Sequence, residues 1–186
     1  MVQPARHVLD GGHPVGDVRR LLHARTGGAA DARRHSWDTG DRGRSRRLAH
    51  GMRTMPAHTD VAEGLAALRA QGYRLVTLTN SPTGSGATPL DNAGVAEFFE
   101  KQFSVDTWRL FKPARQLYTG TAEALGVAPS QCMMVAAHPW DTMGAQSAGF
   151  GAALITRPGN APLPTREVPA PDVVAADLRE LADRLS

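Results

Sequence analysis

The sequence predicts an α/β domain built on a doubly wound parallel sheet, and three observations carry that expectation. Short apolar runs of strand length, such as "YRLVTLT", "MMVAA" and "GAALI", alternate with helical stretches of about a dozen residues. Two of these runs are almost continuously apolar rather than alternating, which suits strands covered on both faces. Glycine, proline and asparagine punctuate the joints between elements. A chain of 186 residues with 41% hydrophobic content is long enough for one such domain with a real core, and too short for two large ones.

Each element has its own local signal. In "TDVAEGLAALRAQG" Thr59 is expected to cap a helix, acids fall in the first turn, Val61, Leu65 and Leu68 share a face, and Gly72 closes it. "YRLVTLT" follows as a strand, and "NSPTGSGA" breaks it. Thr88 and Pro89 open a short helix through "PLDNAG", because a capping hydroxyl and an early proline suit the exposed N–H groups of a first turn. "FFEKQFSVD" carries the second strand into a turn at "TWRLFKP". "ARQLYTGTAEALG" is the next helix, with Gly126 as its stop. "MMVAA" and "GAALI" flank the helix "DTMGAQSAG", "PDVVAAD" is a last strand, and "LRELADRLS" is a closing helix.

The chain carries a formal net charge of +3, and where that charge sits decides what it means. Residues 1–50 hold ten arginines against five aspartates, a net of +5, whereas residues 51–186 hold eleven basic and thirteen acidic groups, a net of −2. Leu, Ile, Val and Phe fill only eight of the first fifty positions, and "DTGDRGRSRRLAH" has a period of neither 2 nor 3.6. Residues 1–50 are therefore expected to form a poorly ordered, Arg-rich arm, and 51–186 the core. Arg42, Arg44, Arg46 and Arg47 could touch phosphates, but beyond Trp37 no aromatic platform accompanies them, so the arm reads as solvated and no nucleic-acid partner is expected. The five histidines of this segment lack the Cys or carboxylate spacing of a zinc site. Cys132 is the one cysteine, and at the mouth of an apolar strand it reads as core. No run approaches the roughly 18 apolar residues of a membrane span, and the N-terminus lacks a signal-peptide core. No membrane partner and a cytoplasmic location are expected.

In sheets of this kind ligands bind beyond the carboxyl ends of the strands. Three polar clusters fall there: Thr79, Asn80 and Ser81; Lys112; and His138, Trp140 and Asp141. The stretches "LTNSP", "FKPARQLY" and "VAAHPWDTMGA", in this order and each after an expected strand, resemble the second, third and fourth motifs of the haloacid dehalogenase-like hydrolases. The Trp-Asp form of the last motif looks most like the type II, (S)-2-haloacid dehalogenases. The resemblance covers residues 51–186 and implies a Rossmann-like core whose first strand and helical cap are missing or degenerate here.

By that resemblance Thr79 matches the residue that holds substrate carboxylate or phosphoryl oxygens, and Asn80, with Ser81 beside it, matches the side chain near the leaving group. Lys112 matches the lysine that neutralises charge beside the nucleophile. Asp141 matches the acid that fixes this lysine and helps position the hydrolytic water, with His138 and Trp140 lining the pocket. Lys112 is one of two lysines among twenty-one basic residues, and a compact ammonium is not replaced simply by arginine's planar fork in a tight site. Asp141 could instead cap the following helix, and one acid can do both. A magnesium site gathers two or more carboxylates around a hard cation. The positions before Asp141 hold Ala136, Ala137 and His138, so an ion pair with Lys112 is expected and no metal or cofactor.

In the family's mechanism an aspartate ending the first strand attacks the halogen-bearing carbon, and water hydrolyses the resulting ester. The motif resembling "FDxxxTL" is not found here. Asp10 in "HVLDGGHPV" is the one candidate nucleophile, though "ARHVLD" is a poor buried strand and no threonine follows at the expected place. The expected function is hydrolytic dehalogenation of a small 2-haloacid substrate, and a homodimer is compatible with it. Two alternatives stay open: an inactive fragment or binding module, and a magnesium-dependent small-molecule phosphatase of the same superfamily.

Overall fold

The computed structural model describes residues 42–163 and 167–186. Asp10 and the expectation of a poorly ordered arm over residues 1–41 lie outside the described residues. The elements run α1 (Arg42–Arg53), α2 (Val61–Ala70), β1 (Val76–Thr79), α3 (Pro89–Asn92), β2 (Lys101–Ser104), α4 (Arg115–Leu125), β3 (Met133–Ala136), α5 (Pro139–Ser147), β4 (Gly151–Ile155), β5 (Val173–Ala175) and α6 (Leu178–Arg184). None of the described helices is long and apolar enough to cross a membrane.

All strand pairings are parallel, as the alternation of elements predicts. Among the described residues they form two ladders, β1–β2 and β3–β4–β5. Helices cover them from two sides. Leu117, Tyr118 and Ala122 of α4 pack with Ala145 of α5, Ala148 and Phe150, while Leu65 and Leu68 of α2 pack with Ala182 of α6. Leu117 and Leu181 are fully buried, each side chain of this kind contributing roughly 1.5–3 kcal/mol.

Two expectations need correction. Residues 42–50 are not irregular: they belong to α1, which spans the expected boundary at Gly51. Arginine, leucine, alanine and methionine are good helix formers, and His50 and Arg53 in the last turn complement the helix dipole. Asn92 Nδ2 donates to the Arg53 carbonyl at 3.0 Å, tying α1 to α3. The second correction concerns Thr59, which does not cap α2. Asp60 holds that position, and its carboxylate makes no capping bond because it is committed elsewhere.

Asp60 accepts both Arg157 Nη atoms at 2.8 Å and the Leu178 N–H at 2.9 Å, so one carboxylate joins the start of α2, the loop after β4 and the first turn of α6. Gly64 allows the two helices to meet, since a Cβ there would collide with Leu178. The Arg157 hydrogen bonds lower the Asp60 carboxyl to about 2, against an ordinary 3.8. A depressed acid stabilises the fold above its unfolded pKa and loses that contribution as pH falls through the folded one. The pair should therefore contribute about 2 kcal/mol at neutral pH, lost between about pH 4 and pH 2. Tm measured across that range should fall more steeply for the native chain than for Asp60→Asn, and parallel curves would refute the assignment.

Candidate active site

The site gathers at the carboxyl ends of β1, β2 and β3. The loop after β1 is anchored by its neighbours: Asn80 Oδ1 accepts the Lys112 N–H at 3.0 Å, Ser104 Oγ donates to the Ser81 carbonyl at 2.7 Å, and the Thr83 N–H donates to Asp106 Oδ2 at 2.7 Å. Thr79 Oγ accepts the Ser81 N–H at 3.1 Å and keeps its own O–H as a donor. Because Asn80 spends its oxygen on the Lys112 backbone, its NH2 group is what it can offer a ligand.

Lys112 and Asp141 arrive from different strand ends and pair at 2.7 Å, with each side chain 8% exposed. Tyr118, on the fully buried face of α4, donates its hydroxyl to Asp141 Oδ1 at 2.8 Å, while Lys112 Nζ donates to Oδ2. Burial, and then the Asp141 charge, push the Tyr118 phenol above its ordinary range, so it stays a proton donor. The carboxylate is thus held from both oxygens. Tyr118 was not among the residues singled out in the sequence, where an apolar-faced helix aromatic reads as packing.

Gly144 makes this arrangement fit. A Cβ there would lie 2.7 Å from the Tyr118 hydroxyl and from Pro113 Cβ, and 2.8 Å from the Pro113 carbonyl. Gly144→Ala is therefore expected to destabilise the fold by about 1–3 kcal/mol and to move Tyr118 off Asp141. Urea unfolding and the Tyr118 ring shifts in NMR check it, and an unchanged Cm with unmoved shifts would contradict the packing described.

His138 sits at the N-cap of α5 and stacks on Trp140, ring centroids 5.5 Å apart and planes at 24°. Both rings are on the surface, and Phe111, beside Lys112 in the chain, is 70% exposed. Lys112 and Asp141 also border a cavity of about 320 Å³ between β1 and β3. Of the residues singled out in the sequence, Asn80, Lys112 and Asp141 are joined by hydrogen bonds, Thr79 and Ser81 share the Asn80 loop, and His138 and Trp140 pair with each other. Asp10 is outside the described residues. Among the described residues, no three His, Cys, Asp or Glu side chains group as metal ligands would.

A family model for haloacid dehalogenase-like hydrolases matches residues 14–149. The chain is 34% identical over 119 residues to haloacetate dehalogenase H-2 of Moraxella sp. (strain B), covering 64% of this chain and 53% of that protein. It is 31% identical over 126 residues to a phosphoglycolate phosphatase of Nitrosococcus oceani, covering 68% and 56%. The solved structure of L-2-haloacid dehalogenase from Xanthobacter autotrophicus with chloropropionic acid covalently bound superposes with a TM-score of 0.68 at 25% identity, covering 78% of this chain and 67% of that one. The chain spans about half the length of the two relatives compared by sequence. The motif order, the parallel strands and the matched span together make this chain a member of the haloacid dehalogenase-like hydrolases.

Proposed function

We propose that this chain carries the substrate-binding and charge-stabilising part of a site for hydrolytic dehalogenation of small 2-haloacids, acting in the cytoplasm. The observation that supports it most is the commitment of Asp141. One oxygen accepts Lys112 Nζ and the other accepts the Tyr118 hydroxyl, so the acid serves as the counter-ion of a buried lysine. A divalent cation drawn to Asp141 would sit beside an ammonium 2.7 Å from that carboxylate. A haloacid instead brings a carboxylate and releases a halide, both anions that suit fixed N–H donors in a partly dry site.

In this reading Thr79 holds the substrate carboxylate, Asn80 with Ser81 beside it lies near the leaving halide, and Lys112 neutralises charge beside the reacting carbon. Asp141 orients Lys112 and helps position water, Tyr118 orients Asp141, and His138 with Trp140 lines the apolar wall. The carbon–halogen bond breaks with its electron pair leaving on the halide as a carboxylate oxygen bonds to that carbon; water then attacks the carbonyl carbon of the resulting ester, releasing the 2-hydroxyacid and a proton and regenerating the carboxylate, a nucleophile that none of the described residues is placed to supply.

Thermal unfolding with (S)-2-chloropropionate tests the reading, since a ligand of the folded state raises Tm by mass action. Tm is expected to rise with ligand concentration, equally with and without EDTA, and not to respond in Lys112→Met. The similarity to a phosphoglycolate phosphatase supports a second reading, magnesium-dependent phosphoester hydrolysis. Calorimetric titration is expected to show no micromolar affinity for magnesium. Micromolar binding, with phosphate released from phosphoglycolate and no response to chloropropionate, would put the phosphatase reading first.

A further inference from the structure

The loop after β1 carries Thr79 and Asn80, yet burial does not hold it, since every residue from Thr79 to Ala87 is exposed. Hydrogen bonds have to fix it instead. Ser81 and Thr83 are each tied to the end of β2, whereas among the described residues Gly84, Ser85, Gly86 and Ala87 make no hydrogen bond before Thr88 caps α3. Only the half of the loop next to Asn80 is held.

The brace comes from the end of β2. In "FSVD" Phe103 and Val105 are buried, Val105 to 2% exposure, while Ser104 and Asp106 between and after them keep access to solvent, as alternation along a strand end provides. The strand register sets Ser104 beside Thr79, so the two carboxyl ends lie side by side. Ser104 Oγ accepts the Asp106 N–H at 3.2 Å and donates to the Ser81 carbonyl at 2.7 Å, and Asp106 Oδ2 accepts the Thr83 N–H at 2.7 Å. The pair thus grips the loop at two points. Asn80 passes that grip to the ion pair: its Oδ1 accepts the Lys112 N–H at 3.0 Å, and Lys112 Nζ donates to Asp141 Oδ2 at 2.7 Å. A loop that drifts takes Asn80 off the Lys112 backbone.

We propose that Asp106, with Ser104 behind it, is a positioning residue that sets the loop after β1, and through Asn80 the Lys112 backbone, for an anionic substrate. It acts through the loop rather than on the substrate. An acid beside a loop that holds anions works against binding by its charge, so its use lies in the bond it accepts, which a carboxylate makes more strongly than a neutral oxygen. In its consequence for substrate the proposal rests on the dehalogenation reading; in its link from Asp106 to Lys112 it does not.

Hydrogen exchange of the full chain and titration with (S)-2-chloropropionate followed by Tm, on the native protein, Asp106→Ala, Asp106→Asn and Ser104→Ala, test both parts. In Asp106→Ala the Lys112 amide is expected to exchange at least about fivefold faster and chloropropionate to bind about tenfold more weakly, the scale of one charge-assisted hydrogen bond lost from a loop. Ser104→Ala should shift both in the same direction. Asp106→Asn is expected to bring both back to within about threefold of native, because the amide oxygen can accept the same N–H. The β4 amides should exchange as in the native chain throughout. Native Lys112 exchange in Asp106→Ala overturns the proposal, as does faster exchange of the β4 amides to the same degree, which would mean a loss of the whole fold. Equal effects of Asp106→Ala and Asp106→Asn also overturn it, because the residue would then act by its charge. A native chain whose Tm ignores chloropropionate would sink the dehalogenation reading instead, and Lys112 exchange would still decide the link from Asp106.

Discussion

Asp141→Ala is expected to cost the fold about 3–5 kcal/mol, because it leaves the Lys112 ammonium buried without a counter-ion. Each side chain of the pair is only 8% exposed, so bulk water takes over the lost role poorly. Tyr118→Phe should cost less, about 1–2 kcal/mol, since it removes one hydrogen bond and leaves Asp141 still paired with Lys112. Replacing both charges together, Lys112→Met with Asp141→Leu, should recover most of the loss, because an apolar pair of similar volume avoids the desolvation cost altogether. Urea unfolding of Lys112→Met, Asp141→Leu and the double variant closes a cycle whose coupling energy should be large. Simple additivity of the two single costs would show that the pair is solvated and that the site is looser than described. Such a result would also weaken the functional reading, which needs Lys112 held in one place.

Local signals in the sequence were enough for most elements, and they failed where a residue's partner lies far along the chain. Thr88 caps α3, with Asp91 returning the bond, and Gly126 ends α4 at φ 68°; both depend on neighbours within a few residues. Thr59 was expected to cap α2 by the same logic, yet Asp60 takes that position because Arg157, 97 residues away, claims its carboxylate. Tyr118 shows the same limit at the site. Its place on the apolar face of α4 is legible, but its hydroxyl acquires meaning only when α5 delivers Asp141. α1 was missed for another reason: arginines and glycines dominate it, and Leu48, Ala49 and Met52 are too few apolar positions to mark a core-facing helix. The convergence of Asn80, Lys112 and Asp141 was legible through their motifs because each follows a strand end, and a parallel α/β sheet brings those ends to one edge. What the motifs did not reveal is that the described strands group as β1–β2 and β3–β4–β5, which depends on pairing between strands distant in sequence.

Turnover of (S)-2-chloropropionate by this chain is expected to fall at least about 10³-fold below once per second, the low end of ordinary enzyme rates. Thr79, Asn80 and Lys112 can bind an anion and stabilise charge, but positioning groups without an attacking carboxylate leave only a small residual rate. The described acids at the strand ends are already engaged. Asp141 is held by Lys112 and Tyr118, and Asp106 accepts the Thr83 N–H at 2.7 Å. Neither can attack a carbon without abandoning the contacts that order the site. Asp10, the one candidate from the sequence, lacks the strand and threonine of the family motif, so Asp10→Asn is expected to leave halide release unchanged. Chloride measured over time from purified chain and variant decides the matter, with heat-treated protein as the background. Release near once per second that Asp10→Asn abolishes would reverse the conclusion and make Asp10 the nucleophile.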